Sequence, residues 1–524
     1  MTYDVVIVGG GAAGLTAGAF LAKFGCDTLL LEKENHCGGL VNSFQRDGFV
    51  FDGGIRALEN AGVLFPMLRQ LGIEIELIKN RVSVGIEDQV FEVESENYLS
   101  NYEEMLKAFY PNSEEEISVI VTEIEKITKL MDIQYGIDNP LFLDIKEDRE
   151  YFIKDVFPWM FKYLFNIPKV SSRNMPVVQY LEKFSTNTPL LDIISQHFFT
   201  ATPAYFALSY FRLYQDYYYP KGGTGVFSRK LVEFIHANGG EIRTGAKVQS
   251  IDLDKNCLQT EDGEEICFRQ LLWAADQKTL YRIIDSENLS ENKDKNSVDE
   301  RNNLLAEKRG NDSVLTLNLF VNLDPEYFEN ISTGHFFYTP SRKGLSLSGK
   351  TPYMGTWEDI KKWLDLFLDL TTYEIAIPVL RDKSLAPAGK TGLIISTLFD
   401  FEITKIISEM GRDKQFRKFL TEKVITVLQD SIYPGLKEAV YESFTATPMT
   451  IQKITGNTDG AITGWSFSNN PLPAESRLIK IANSVRTPLD NVTQAGQWTY
   501  SPSGFPVSLI TGKLAADRVR KLLK

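Results

Sequence analysis

An α/β fold is predicted for this chain of 524 residues: a Rossmann-like nucleotide-binding domain interleaved with a mixed-sheet domain that carries a helical, aromatic-rich subdomain. Three observations predict it. The chain opens on an apolar strand that runs into the loop Gly9-Gly10-Gly11-Ala12-Ala13-Gly14. Strand and helix patterns separated by further glycine pairs recur to the C-terminal end. The stretch from about 80 to 210 has helical periodicity and is dense in aromatic side chains. A mass of 59.3 kDa implies roughly two or three domains.

Tyr3 to Val8 is a β-branched run, as a parallel strand buried on both faces requires. In the loop that follows, Gly9 permits the tight turn and Gly11 lets backbone approach a pyrophosphate. Gly14 lets helix and strand pack closely, while the helix N-terminus faces negative charge. The helix Leu15 to Phe24 ends at Gly25, a left-handed cap. The second strand, Thr28 to Leu31, delivers Glu32 about twenty residues past the loop, where a carboxylate accepts both ribose hydroxyls and disfavours a 2′-phosphate. Strand, glycines, helix, strand and terminal acid in this order form a dinucleotide site. Gly38-Gly39 would let a second backbone stretch pass near the diphosphate, and Gly53-Gly54 would allow close approach to the ring system.

Further along, Ser113-Glu114-Glu115-Glu116 reads as a capping box ahead of Ile117, Ile120, Val121, Ile124 and Met131, one buried helical face. Tyr151 to Ile167 holds Phe152, Phe157, Trp159, Phe161, Tyr163 and Phe165. Core packing is the plain reading of that segment, and a monotopic patch or tunnel mouth admitting a lipid is the alternative. Leu190 to Phe211 offers aromatics for a long apolar cavity, although core is again the plainer reading. Val314 to Val321 alternates and suits a sheet flooring the substrate site. Ser286 to Asp312 is crowded with Asn, Asp, Glu and Lys and predicts a solvated helix and loop.

Glu32-Lys33-Glu34, then Gly38-Gly39-Leu40, then Gly48 to Gly54 with Ile55 and Arg56, resembles the extended fingerprint of the amine oxidase and phytoene desaturase superfamily. That resemblance implies FAD. Tyr219-Pro220-Lys221-Gly222-Gly223 through Val248-Gln249-Ser250-Ile251 is similar to the family's second FAD segment, in which the residue matching Val248 meets adenine through its backbone. Ala495-Gly496-Gln497-Trp498-Thr499 and Gly504-Phe505-Pro506 look like the C-terminal FAD motif, where a helix N-terminus points at the flavin pyrimidine ring. Gln497 departs from the family's usual Asp; its amide oxygen accepts the same ribityl bond less strongly. Leu271 to Asp276, containing Ala275, resembles a strand end near the nucleotide. Together with Ile377-Pro378, Ser384 to Gly389 and Thr447 to Trp465, it aligns the sequence with phytoene desaturases, carotenoid isomerases and retinol saturases more than with monoamine oxidases. The implied cofactor-binding set is Gly9, Gly11, Ala12, Ala13, Gly14, Glu32, Lys33, Gly38, Gly39, Leu40, Gly54, Ile55, Arg56, Val248, Ala275, Gly496, Gln497, Gly504, Phe505 and Pro506. The implied domains are an FAD domain of residues 1–80, 212–310 and 441–524, and a substrate domain of 81–211 and 311–440 with a helical lid.

Composition narrows the partners. A net charge of -13 repels nucleic acid and anionic lipid, so any membrane contact must be local and apolar. Cys26, Cys37, Cys257 and Cys267 form no CxxC pair, which argues against a disulfide reductase and suits a reducing compartment. Four histidines form no HxxxH or His/Cys cluster, so no metal is expected. A strand starting beside Met1 leaves no room for a signal peptide, and no apolar run reaches about 18 residues, which predicts a cytoplasmic protein, peripheral to a membrane at most. No second complete GxGxxG unit is present for NADPH, and the electron donor or acceptor stays open.

The chemistry implied needs no metal and no nucleophile: hydride passes at the flavin while the protein positions an apolar substrate and excludes water. Arg56 and Tyr500 are the candidate catalytic residues. Arg56 is placed either to pair with a substrate carboxylate or to bridge to Glu59 or another local acid. Tyr500 and Trp498 follow the C-terminal glycine and approach the ring. Three functions follow: an oxidoreductase adding or removing hydrogen across carbon-carbon bonds of a long polyene, isoprenoid or unsaturated lipid; a flavin-dependent double-bond isomerase without net redox change; and a non-catalytic flavin-binding lipid protein.

Overall fold

A computed structural model describes residues 2–93 and 97–524. The N-terminal run becomes strand Thr2–Val8, flanked in parallel by Thr28–Leu31 on one side and Glu265–Trp273 on the other. Both faces are buried, as its β-branched composition requires; Val5, Val6 and Ile7 are fully covered. Glu241–Arg243 extends the sheet at one edge, Cys257–Thr260 and Val248–Asp252 at the other, and Val492–Gln494 adds to Glu265–Trp273. Helix Ala12–Lys23 lies on this sheet and packs along the C-terminal helix Phe505–Leu522. The two backbones come close because Gly512 has no side chain: a Cβ there would stand 2.5 Å from the Ala13 carbonyl oxygen.

The second sheet runs in the order Val440–Ala446, Ser313–Val321, Thr391–Phe399, Tyr373–Ala376, His335–Thr339, Val82–Ile86 and Gln89–Glu92. It is mixed, with His335–Thr339 parallel to Val82–Ile86. Helices Trp357–Leu370, Phe401–Glu409 and Asp413–Ser431 cover the face carrying Leu315, Leu317 and Leu319. The strand Ser313–Val321 is central and buried on both faces, not alternating between core and water, because its other face also lies inside the molecule. Val440–Ala446 belongs to this sheet, so the segment from 441 begins in it and not beside the nucleotide strands.

A helical subdomain follows the second sheet's first strands. The face Ile117, Ile120, Val121, Ile124 and Met131 is buried as its spacing predicts. The capping box at Ser113 does not form. Ser113 Oγ accepts from Asn187 Nδ2 at 3.1 Å, and Glu116 is taken by the Ser185 hydroxyl, so tertiary partners displace the local ones. Helix Phe157–Ser171 departs further from the plain expectation. It turns the Trp159 indole N–H to the Ile133 carbonyl and Asn166 Nδ2 to the Leu130 carbonyl, and leaves Phe157, Phe161, Leu164 and Phe165 outside, 59%, 48%, 53% and 76% exposed. The Asn292–Ala306 helix buries Val298 and Leu305 and is otherwise a surface helix, as composition predicts. Cys257 and Cys267 face each other across an antiparallel pair and form a disulfide, whereas the cysteine pattern in the sequence suits a reducing compartment. Their partnership depends on strand register, which a ten-residue spacing does not reveal.

Candidate functional site

Gly9 has φ 107°, and a Cβ on Gly14 would stand 1.9 Å from the Gly9 carbonyl oxygen, so both positions demand glycine. Gly11 differs: nothing lies within 4 Å of its Cβ position. It is the N-cap of helix Ala12–Lys23, whose first turn has neither a capping side chain nor an acid, so the free N–H groups of that turn border open space. Gly38 closes on the same loop by donating its N–H to the Gly10 carbonyl at 2.8 Å, and a Cβ on Gly39 would stand 3.3 Å from the Gly11 Cα. Glu32 is buried and accepts from the N–H of Gly10 at 2.7 Å and of Glu34 at 2.9 Å, which fixes the carboxylate beside the loop. Ala275 abuts Gly9, and Gly496 abuts Ala13. Leu40 accepts from the Ile55 N–H and packs so tightly on Gly54 that a Cβ there would meet the Leu40 oxygen at 2.0 Å. The helix Phe505–Leu522 also starts uncapped at Gly504, again with nothing within 4 Å, and Pro506 removes an N–H that the first turn does not need.

Other predicted residues are differently placed. Lys33 gives its ammonium to Glu34 Oε1 at 2.7 Å and the Lys453 carbonyl at 3.0 Å. Val248 points its side chain into the core beside Leu258 and Trp273. Gln497 is half-buried. Trp498 is structural: it meets Trp465 edge-on at 4.7 Å and its carbonyl accepts the Trp465 indole N–H. Tyr500 is buried, and burial together with the neighbouring Tyr205, Tyr163 and Tyr135 hydroxyls raises its pKa.

Beside Gly54 and Ile55 the backbone turns Arg56 onto the second sheet. Arg56 donates to the Asp52 carbonyl at 2.6 Å and to Ser396 Oγ at 2.8 Å. It makes no bridge to Glu59, and with both terminal nitrogens engaged it is not a free carboxylate clamp. Glu59 instead accepts from the Tyr217 hydroxyl at 3.0 Å, and burial pushes its carboxyl up to about 7.

The sheet face that Arg56 touches carries a register row: Val84, Phe337, Glu374, Ser396 and Thr316. Against its outer end sits a small cavity between Val84 and Phe337 of the sheet, Thr372 just ahead of strand Tyr373–Ala376, and Ile193, His197 and Tyr214 of the helical layer. Burial lowers the His197 imidazole to about 4, so it is neutral. His335, from the next row, is stacked on Tyr217 at 5.7 Å and bonds Glu374 Oε1 at 2.9 Å and Asn80 at 3.1 Å. Asn80 in turn accepts from Arg381 at 3.1 Å. Glu374, His335, Asn80 and Arg381 were not legible in the sequence: they come from three segments, and the motif around Ile377-Pro378 gives no sign that its flanking Glu374 and Arg381 meet the other two.

The match to known proteins follows this geometry. Residues 12–302 match the family model described as flavin containing amine oxidoreductase. The chain belongs to that family. It is 22% identical to a chloroplastic prolycopene isomerase of Daucus carota over 99% of this chain and 80% of that one. It is 23% identical to a carotenoid 3,4-desaturase of Haloarcula japonica over 98% and 97%. Over half of this chain and 45% of the relative it is 26% identical to the human all-trans-retinol 13,14-reductase. Among solved structures it is similar to an oxidoreductase from Methanosarcina mazei (TM-score 0.60, 13% identity, 99% of both chains) and to a cyclohexylamine oxidase from Brevibacterium oxydans (TM-score 0.57, 12% identity, 99% of both chains). This flavoprotein is an FAD-dependent enzyme. The open, uncapped helix starts at Gly11 and Gly504 fit the cofactor's anionic and electron-rich parts. Among the described residues, no helix is long and apolar enough to cross a membrane.

Proposed function

We propose that this enzyme adds or removes hydrogen across a carbon-carbon bond of a long apolar polyene, isoprenoid or unsaturated lipid. The observation that carries the reading is the apolar layer between the second sheet and the helical subdomain, where a small cavity lies. Its sheet side offers Val84 and Phe337, which share a register row with Ser396, Thr316 and one carboxylate, and its helical wall offers Ile193, Phe211 and Tyr214. Such a wall grips an apolar molecule by contact area and gives a polar substrate few partners. The names of the relatives, prolycopene isomerase, carotenoid desaturase and retinol reductase, point to conjugated substrates of the same character.

When bound, FAD supplies hydride acceptance or donation, and the polypeptide does the rest. Gly9 to Gly14, Glu32 and the Phe505 helix hold the cofactor. Arg56 ties the loop beside the ring to the substrate sheet, and the tyrosine-rich helical layer covers the sheet's inner face. The exposed face of helix Phe157–Ser171 is the place where an apolar substrate leaves its membrane. Phe157, Phe161, Leu164 and Phe165 project outward, and Tyr163 on the same helix lies near Tyr500.

The test is anaerobic incubation of the FAD-loaded protein, oxidised and then reduced, with polyenes and fatty acids, followed by substrate mass. A change of two hydrogens establishes the redox function. An unchanged mass with altered retention assigns the isomerase instead, and a flavin inert to every lipid and reductant assigns a non-catalytic lipid protein. For the membrane contact, Phe161→Ser/Phe165→Ser is expected to lose most of its sedimentation with neutral phosphatidylcholine vesicles without a change in melting temperature. Wild-type sedimentation by the variant would overturn it.

A further inference from the structure

Glu374 lies outside the residues assigned to the cofactor, and its carboxylate accepts from the buried His335 at 2.9 Å. It stands in the middle of the register row whose outer members Val84 and Phe337 line the cavity, one residue in from the cavity wall, directly opposite Phe337 on one side and Ser396 on the other. Its neighbours in that row are apolar or hydroxylic, so it is the row's single charge.

The groups around it form a directed relay. Arg381 donates to the Asn80 amide oxygen, so the Asn80 amide nitrogen is left to donate to His335 Nδ1, and His335 Nε2–H then donates to Glu374 Oε1 at 2.9 Å. Every bond fits an ionised Glu374 and a neutral His335. From the other side Arg56, bonded to Ser396, adds a second positive field. Burial pushes the Glu374 carboxyl up, but His335, Arg56 and Arg381 more than offset this and hold it below its usual value.

Access separates Glu374 from the other charges of the cluster. Asp52, Arg56 and His335 are 2%, 5% and 2% exposed, and Arg56 Nε and Arg381 Nε and Nη2 are covered without partners. The Glu374 side chain keeps 33% of its surface open although it lies deep in the fold. Phe337, its partner across the strands, lines the cavity, so a partly open anion backed by buried cations stands beside the cavity wall on the same face of the sheet.

We propose that Glu374 is a fixed anion that opposes positive charge developing on the substrate, and that the cavity therefore binds a cationic polyene in preference to its neutral isostere. The proposal rests on the polyene reading above. In desaturation, a C–H bond of the substrate breaks and its electron pair leaves as hydride to oxidised FAD, so the substrate acquires one positive charge spread over its conjugated carbons. The neighbouring C–H then loses its proton to water, and its bonding pair closes the new double bond. A carboxylate held ionised in a low-dielectric wall favours the charged polyene over the neutral one without needing to move. His335 and Asn80 are positioning residues, which keep that carboxylate charged and aimed.

The test uses the FAD-loaded protein and two probes: an isoprenoid in which one backbone methine is replaced by a protonated tertiary nitrogen, and its all-carbon counterpart. Affinities are read by equilibrium dialysis. The wild type is expected to bind the cationic probe about tenfold more tightly, worth about 1.4 kcal/mol. Glu374→Gln, which still accepts the His335 bond, should abolish that preference while changing neutral-probe affinity less than about twofold. Equal affinities in the wild type, or a preference that survives Glu374→Gln, would overturn the proposal and leave the polyene reading standing. Binding of neither probe by the wild type would overturn the polyene reading and this inference with it. If the glutamine variant does not retain FAD, Glu374→Asp replaces it: the preference must fall there too, and an undiminished one overturns the proposal.

Discussion

At the scale of single residues, the glycines of the first loop do different work, and substitutions separate them. A Cβ on Gly11 enters space that no protein atom occupies, whereas one on Gly14 collides with the Gly9 carbonyl. Gly11→Val is therefore expected to yield a folded, colourless protein with unchanged far-UV dichroism, and Gly14→Ala to reduce soluble yield. A yellow Gly11→Val protein would sink the cradle assignment. These glycines were legible in the sequence because their spacing is local. The titration of Glu59 was not, because the burial that raises its carboxyl comes with packing against a segment far along the chain, where Asp216 adds to the rise and the Tyr217 bond, 158 residues away, opposes it. Its pKa, raised from 4.5 to about 7, fixes a sign. The neutral acid is the form that folding prefers, so its stabilisation is complete below 4.5 and is lost as pH rises through 7. Glu59→Gln keeps an acceptor for Tyr217 and should melt above wild type at pH 8 but level with it at pH 4. The difference at pH 8 is bounded by about 3 kcal/mol at about 1.4 kcal/mol per unit, less for partial exposure. A constant difference across that range would refute the assignment.

At the scale of elements, periodicity located helices and strands well and judged their environments less well. Ser113 and Glu116 match the capping pattern yet spend their side chains on Asn187 and Ser185, while Thr356 and Asp359, which match the same pattern, form a complete capping box. Thr356→Ala should cost about 1 kcal/mol, measured by denaturant titration. The same inversion affects burial. Leu319 lies in a strand paired on both sides and is fully covered, whereas Phe165, in the most aromatic helix, is 76% exposed. Hydrophobicity alone ranks Phe165 as the stronger core residue. Leu319→Ala should cost about 2–5 kcal/mol and Phe165→Ser little, since only the former leaves a cavity. Comparable losses would mean that the helix Phe157–Ser171 packs against something in solution.

At the scale of the whole molecule, the cradle proposed for the cofactor draws on distant parts of the polypeptide. The residues assigned to its cradle come from 9–14, 32–56, 275 and 496–506, segments whose helices Ala12–Lys23 and Phe505–Leu522 already pack together through Gly512. The order of these segments was readable from motifs at the two ends. Their closure on the substrate sheet was not, because it depends on Arg56 meeting Ser396, 340 residues away, and Arg381 meeting the Arg56 carbonyl across 325. A ligand that bridges such segments binds the folded state alone and stabilises it by mass action, about 2.7 kcal/mol at a hundredfold excess over Kd. FAD-stripped protein should therefore melt several degrees below the holoprotein, and its melting temperature should climb with the logarithm of added FAD. Gly11→Val should show the low temperature and no climb. Because Arg56 links the loop beside the ring to the sheet, Arg56→Ala should still bind FAD but flatten the climb, since the cofactor would then stabilise the nucleotide layer without the sheet. An Arg56→Ala titration that overlays the wild type would show that the two layers are coupled through other contacts.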